Sequence, residues 1–376
     1  MRVARWKTLA LLTAMSLVAV ACGGNGDTEP AEPTDEVEET DEADETDETD
    51  EGDDATEDDA AAEGDPVSIG LLLDLGGRGD ESFNDAAAAG VDDAIAEFNL
   101  EVTELEPNEA GENRDELARL LSQEGAELVI AVGFLFEEAI GAVAPDFPDV
   151  NYAIVDALVE EDNVAGLLFA EHEGSFLVGA AAALTTETGR VGFIGGVENP
   201  LIERFEAGFN AGVAAIDPDI EIDRNYISQP PDFSGFNDPA RGREIALGMY
   251  GNGADVIYHA AGGSGSGLFE AAREVSEDTG TQHWAIGVDS DQYLTADEAL
   301  QPYILTSMLK RVDVAVFETI AAHIDGSFAG GPQEFDLSAD GVGYSTSGGF
   351  IDDIVDELEE LKEQIAAGEI EVPNAL

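Results

Sequence analysis

Apolar and polar positions change their pattern near residue 66. From there to the end, short apolar runs recur at 67–75, 128–132, 152–155, 164–169, 191–194, 256–258, 284–288 and 304–307. Runs of this length that are apolar at successive positions predict strands buried on both faces. Between them, apolar residues fall at helical spacing near 84–98, 113–124, 173–186, 199–215, 237–250, 265–278, 311–325 and 351–367. Strands alternating with helices predict parallel sheets covered by helices on both faces. Eight strands are many for one modest sheet, and a second strand–glycine–helix start appears at Val191-Gly192-Phe193-Ile194-Gly195-Gly196. The pattern therefore predicts an α/β protein of two similar lobes with a cleft between them, the place where small-ligand sites concentrate.

The first unit, 67–84, organises the rest. Its strand ends in a polar, glycine-bearing loop with Asp74, Gly76, Gly77, Gly79 and Asp80, then Ser82-Phe83-Asn84 and an alanine-rich helix. Ligands in such sheets sit beyond the carboxyl ends of the strands. There Asp74 and Asn84 offer hydrogen bonds and Phe83 offers a flat apolar face. The glycines do not match the dinucleotide fingerprint or a phosphate loop. By themselves they require nothing more than a tight turn.

Ahead of residue 66 the pattern is different. Arg2, Arg5 and Lys7 precede an apolar stretch from Leu9 to Val20, which has the makeup of an export signal and is short for a membrane span. Cys22, the single cysteine, sits in Ala19-Val20-Ala21-Cys22-Gly23-Gly24, which resembles a bacterial lipoprotein processing site; the residue three before the cysteine is Ala where Leu is usual. That resemblance implies removal of 1–21, lipidation of Cys22 and a firm tether to the outer face of the cell membrane, because each buried methylene of the acyl chains contributes roughly 0.8 kcal/mol. Between Asp27 and Asp65, 22 of 39 residues are Asp or Glu and none is aromatic. Such a segment cannot bury enough apolar surface to fold, and its like charges extend it into a spacer covering 22–65.

Charge narrows the partners. The chain carries 83 acidic and 15 basic residues, a net charge of −68, and beyond Lys7 its lysines are Lys310 and Lys362. Nucleic acid needs clustered Lys and Arg, so it is excluded as a partner. An acidic surface of this density fits a protein that stays soluble at high salt, although a base-composition bias of the source would produce it too. One cysteine allows no internal disulfide, and no pair among His172, His259, His283 and His323 has zinc-ligand spacing. Neither a metal nor a cofactor is expected.

The runs LLLDLGGRGDESFN, GFIGG, GADVIYHAAGGSGSG, IGVDSDQ and LTSMLKRVD together resemble the basic membrane protein family, across 66 to about 370. These are lipid-anchored receptors of ABC transporters and include the purine-nucleoside receptor lipoproteins. The resemblance implies a type I periplasmic-binding-protein fold: two Rossmann-like lobes, hinge strands and a ligand enclosed between them. It implies lobe 1 from 66–168 with 291–326, and lobe 2 from 169–290 with 327–376.

Site residues carry over by motif. The resemblance implies a base held between two phenylalanines, Phe83 and, from the second lobe, Phe236, with Phe233 a competitor in the same stretch. Base stacking on an aromatic contributes roughly 1–3 kcal/mol and tolerates different bases. Asp74 and Asp156 match acidic positions facing the base, Asn84 suits a ring nitrogen or a ribose oxygen, and Asp289 with Lys310 matches a ribose-binding pair. Gly263 belongs to a glycine loop that lets backbone approach the ligand. No residue is assigned a catalytic role.

The expected function is therefore capture of a purine nucleoside and delivery to an ABC permease. A nucleoside-processing enzyme of the same fold would need a phosphate cradle or metal cluster with a placed acid or base. A ligand sensor coupled to a membrane kinase is the third reading.

Overall fold

The computed structural model describes residues 64–108 and 111–376. The expected signal 1–21, Cys22 and almost all of the acidic spacer lie outside the described residues.

Lobe 1 begins with β1 (Val67–Leu72), α1 (Phe83–Glu97), β2 (Leu100–Leu105), α2 (Arg114–Glu124), β3 (Leu128–Ala131), α3 (Glu137–Val143), β4 (Asn151–Val155) and β5 (Val164–Phe169). The chain then crosses to lobe 2: α4 (Glu171–Thr185), β6 (Arg190–Val197), α5 (Pro200–Ile216), β7 (Glu221–Ser228), α6 (Pro239–Gly251), β8 (Val256–Ala260), α7 (Gly265–Thr279), β9 (Trp284–Asp289), α8 (Gln292–Thr295) and β10 (Ile304–Lys310). It returns for α9 (Val312–Asp325) and β11 (Gly331–Phe335), and ends in lobe 2 with β12 (Val342–Tyr344) and α10 (Val355–Ala366).

The two sheets repeat one plan. Strand order is β11-β5-β4-β3-β1-β2 in the first and β12-β10-β9-β8-β6-β7 in the second. Each pairing is parallel except β10 with β12. In both sheets the chain starts in the middle, goes out to one side and returns to the other, so the switch points lie between β1 and β3 and between β6 and β8. Central strands are apolar throughout because helices cover both faces: Ile69, Leu71, Leu72 and Leu73 on or just past β1, and Leu128–Ala131 of β3, are all but inaccessible. Full burial of one such side chain stabilises by roughly 1.5–3 kcal/mol.

Strand pairing corrects the expected lobe boundaries in two places. Residues 304–310, expected in lobe 1, form β10 and pair with β9 in the second sheet. Residues 331–335, expected in lobe 2, form β11 and pair with β5 in the first. The crossings therefore fall after β5, β10 and β11, with α9 returning to pack against α1. A strand's lobe is decided by the distant strands it pairs with, and an apolar run does not encode its neighbour. Four strands escaped the apolar-run reading. Edge strands β2 and β7 alternate charged with apolar residues, β11 holds Pro332 and Glu334, and β12 is only three residues long.

Candidate functional site

The carboxyl ends of both sheets face each other across one cavity. It holds about 660 Å³ of empty space, a figure that includes open solvent at its mouth. Lobe 1 lines it with Asp74, Asp80, Phe83 and Asn84 after β1, with Gly133–Leu135 after β3, and with Asp156 after β4. Lobe 2 contributes Leu201, Ile202 and Phe205 from the start of α5, Phe236, the segment 260–262 after β8, Val288 and Asp289 of β9, and Lys310 of β10.

The loop after β1 is wound around two carboxylates. Asp80 accepts from the N–H groups of Ser82, Asn84 and Asp85 at 3.0, 2.9 and 3.1 Å, so it satisfies the free donors at the start of α1. It also accepts from Asn84 Nδ2 at 3.0 Å. Asn84 Oδ1 in turn accepts from the Asp74 N–H at 2.8 Å. Asn84 is therefore fixed with oxygen toward β1 and nitrogen toward Asp80. Asp80 is the site residue that motif matching passed over; its place three residues before Phe83, ahead of an alanine-rich helix, is the signal of a capping group.

Lys310 closes the inner end. Its ammonium donates to the Asp156 carboxylate at 2.6 Å and lies 3.6 Å from Glu171. Three rings surround it, Phe169, Phe83 and Phe205, with centroids 5.0, 5.1 and 5.6 Å away. Burial alone would push this ammonium down, but Asp156, Glu171 and Asp289 together outweigh burial and hold it above the ordinary lysine value. Burial acts on the neighbouring carboxylates in the opposite sense to its effect on the lysine. Burial raises Glu171 to about 7 and Asp289 to about 6, with Lys310 opposing the rise in both.

Asp156 and Asp289 occupy the same place in the two lobes, at the carboxyl ends of β4 and β9. Both have left-handed backbone, with φ of 66° and 63°. Aspartate tolerates this conformation better than most residues, and such strain concentrates where a side chain is aimed at a ligand.

The lobes also grip each other through buried side chains. Ser82 donates to Asp289 Oδ2 at 2.6 Å, Ser290 donates to the Ser82 carbonyl at 3.1 Å, and Gln292 donates to the Glu81 carbonyl at 2.9 Å. Gln292 is held for this by the Val288 N–H at 2.8 Å and by His259 Nε2 at 3.0 Å. His259 is fully buried, and burial lowers it to about 4, so it donates as a neutral ring. Phe134 of lobe 1 meets Phe233 and Phe236 edge-on, at 6.2 and 6.4 Å.

Of the residues predicted from sequence, Asp74, Phe83, Asn84, Asp156, Phe236, Asp289 and Lys310 all line the cavity. Phe233 does not; it meets Phe134 edge-on. Gly263 is not among the lining residues: its neighbour Gly262, with φ of 53°, lines the cavity, while Gly263 sits against Asp80, which lines it too, and Asn237. Phe134, Leu201, Ile202 and Phe205 were missed because they are ordinary apolar residues whose role depends on the opposing lobe. Among the described residues no group of three or more His, Cys, Asp or Glu side chains has an arrangement for a metal ion.

Two lobes, crossed three times by the chain and closed over a cavity walled by phenylalanines and buried carboxylates, define a solute-binding protein. Comparison with known proteins supplies the family. The family model described as "ABC transporter substrate-binding protein PnrA-like" matches residues 67–375, and the chain belongs to this family, Bmp.

Its relatives include a protein of Listeria monocytogenes named "CD4+ T-cell-stimulating antigen". That protein is 36% identical over 81% of this chain and 88% of its own length. The "ABC transporter nucleoside-binding protein BmpA" of Lactococcus lactis is 33% identical over the same shares. A solved solute-binding protein of an ABC transporter system from Aeropyrum pernix superposes with a TM-score of 0.72 at 32% identity. The match covers 82% of this chain and 94% of that one. The family is one of transport receptors rather than enzymes.

Proposed function

We infer that the protein captures a purine nucleoside between its lobes and delivers it to an ABC permease, tethered through a lipid on Cys22 at the outer face of the cell membrane. The observation that carries this reading is the pairing of Phe83 from one lobe with Phe236 from the other on a single cavity, with Asp289 and Lys310 at its inner end. Aromatic faces suit a base, and a base sandwiched between lobes couples binding to closure. Asp289 has one carboxylate oxygen held by Ser82 and the other available to sugar hydroxyls. The named function of the Lactococcus relative supports the nucleoside class.

Calorimetry of the full-length protein at high salt, against nucleosides, free bases, sugars and nucleotides, tests the reading. The expected result is a purine nucleoside bound at about 1 μM or tighter, with Phe83→Ala and Asp289→Ala abolishing the heat and no free base formed on long incubation. Binding of a free sugar in preference to every nucleoside, or release of free base, overturns it. Cys22→Ser should move the protein from the membrane fraction to the medium; retention on the membrane would remove the lipid tether from the proposal.

A further inference from the structure

Arg114 does not line the cavity, yet it controls one of the side chains that does. It opens α2, and its side chain is 12% exposed. Its Nη2 donates to Asp74 Oδ1 at 2.6 Å, and its Nη1 donates to the Gly111 carbonyl at 3.0 Å. The guanidinium carbon lies 5.3 Å from the centroid of the Phe136 ring. The Leu75 N–H donates to the same Asp74 Oδ1 at 2.8 Å. One carboxylate oxygen is thus occupied by protein. The other, Oδ2, makes no hydrogen bond among the described residues and faces Gly133, where a Cβ would lie 2.8 Å from it.

Beside it, the Asn84 amide is locked by Asp74 N–H on its oxygen and Asp80 on its nitrogen, leaving one N–H unused. The outer edge of the cavity therefore offers an acceptor, Asp74 Oδ2, next to a donor, Asn84 Nδ2.

We propose that Arg114 is a positioning residue that sets the hydrogen-bonding polarity of this edge: it keeps Asp74 a pure acceptor, so that the ligand atom facing Asp74 carries a proton. The proposal rests on the nucleoside reading for the identity of that atom, a base N–H. Burial is the larger influence and holds the Asp74 carboxyl above its ordinary value, toward the protonated form that would donate, and Arg114 limits this rise by charge and by hydrogen bond. Among the described residues no charge other than Arg114 acts on Asp74. Asp80, on the same loop, is engaged by Asn84 and the N–H groups of α1, while 133–136 after β3 and 260–262 of lobe 2 carry no ionisable side chain. A ligand base without an N–H leaves Asp74 Oδ2 unpaired, and a buried unpaired group is costly.

The test compares wild type with Arg114→Met and Arg114→Lys in the full-length protein. Two readouts are used: affinity for guanosine and for purine riboside, whose base has no N–H, and the ¹³C titration of the Asp74 carboxyl, assigned by its loss in Asp74→Asn.

Arg114→Met should raise the Asp74 midpoint, weaken guanosine by roughly tenfold at about pH 7 with recovery toward about pH 8, below the ionisation of the base N–H, and change purine riboside by less than about threefold. Arg114→Lys should restore most of both readouts even if Arg114→Met folds poorly. An unchanged Asp74 midpoint in folded Arg114→Met, or equal losses for both nucleosides at every pH, overturns the proposal. Wild type binding neither nucleoside would overturn the ligand reading, while the carboxyl titration still decides whether Arg114 holds Asp74 ionised.

Discussion

Ser82 of lobe 1 donates to Asp289 of lobe 2 at 2.6 Å, so a carboxylate facing the ligand cavity is also a latch between the lobes. Binding and closure therefore share one side chain. Ser82→Ala removes this bond and leaves the cavity wall otherwise intact. A hydrogen bond to a charged group contributes about 1.5–3 kcal/mol, so ligand dissociation should accelerate by roughly an order of magnitude or more. Stopped-flow release of a bound nucleoside reads this directly, and small-angle scattering of the unliganded variant should show a larger radius of gyration. An unchanged release rate would mean that Ser82 plays no part in closure.

Lys310 neutralises a buried acidic cluster, and its replacement should be severe. Lys310→Met strands Asp156, Glu171 and Asp289 without their shared cation. Removing one partner of a buried pair costs about 3–5 kcal/mol. Denaturant unfolding at neutral pH should show a loss of this order, and the loss should shrink at lower pH as Glu171 and Asp289 take up protons. A loss that does not vary with pH would argue against the charge explanation.

Glu171 makes wild-type stability pH-dependent in a defined direction. Burial raises its carboxyl from 4.5 to about 7 in the folded protein. Between those values the folded state keeps a proton that the unfolded chain has released, so this group makes folding less favourable as pH rises through the window. Glu171→Gln removes the titration. Its stability relative to wild type should grow by about 1–3 kcal/mol from pH 5 to pH 7.5, measured by unfolding at a series of pH values. A constant difference would mean that the carboxyl does not carry the proton.

Phe236 and Phe233 are separated by two residues and by their surroundings. Both meet Phe134 edge-on, but Phe236 lines the cavity and Phe233 does not. Phe236→Ala should weaken nucleoside binding by about 1–3 kcal/mol, and Phe233→Ala should cost clearly less. Calorimetry with both variants checks the order, and a reversed order would exchange their roles.

Gly133 is held open for Asp74. Its φ of 106° is a conformation that L side chains rarely adopt, and an added Cβ would lie 2.8 Å from Asp74 Oδ2. Gly133→Ala should lose about 1–3 kcal/mol of stability through backbone strain and should weaken binding by displacing the carboxylate. A variant with wild-type melting and affinity would show that the loop adjusts freely.

Much of this architecture is written locally. The central strands β1, β3, β4, β5, β6, β8 and β9 are apolar at nearly every position because both faces must be covered, and that requirement is visible in any short window. The loop from Asp74 to Asn84 is equally local. Its cap, its glycines and its aromatic ring lie within a dozen residues, so the motif identified a cavity wall before any strand was paired. Asp289 and Lys310 follow the same rule, each standing at the carboxyl end of a recognisable apolar run.

What tertiary structure decided was everything that depends on a distant partner. Strands β10 and β11 changed lobes because sheet membership is set by the distant strands they pair with, not by the run itself. The aromatic cage of Lys310 gathers Phe83, Phe169 and Phe205 from three separate segments. Arg114 reaches Asp74 across 40 positions. Charge, polarity and apolar spacing belong to single residues and short windows, so the chain's order displays them. Which carboxylate stays ionised, and which phenylalanine faces a ligand, follow from burial and neighbours, which exist only once the two lobes have closed on one cavity.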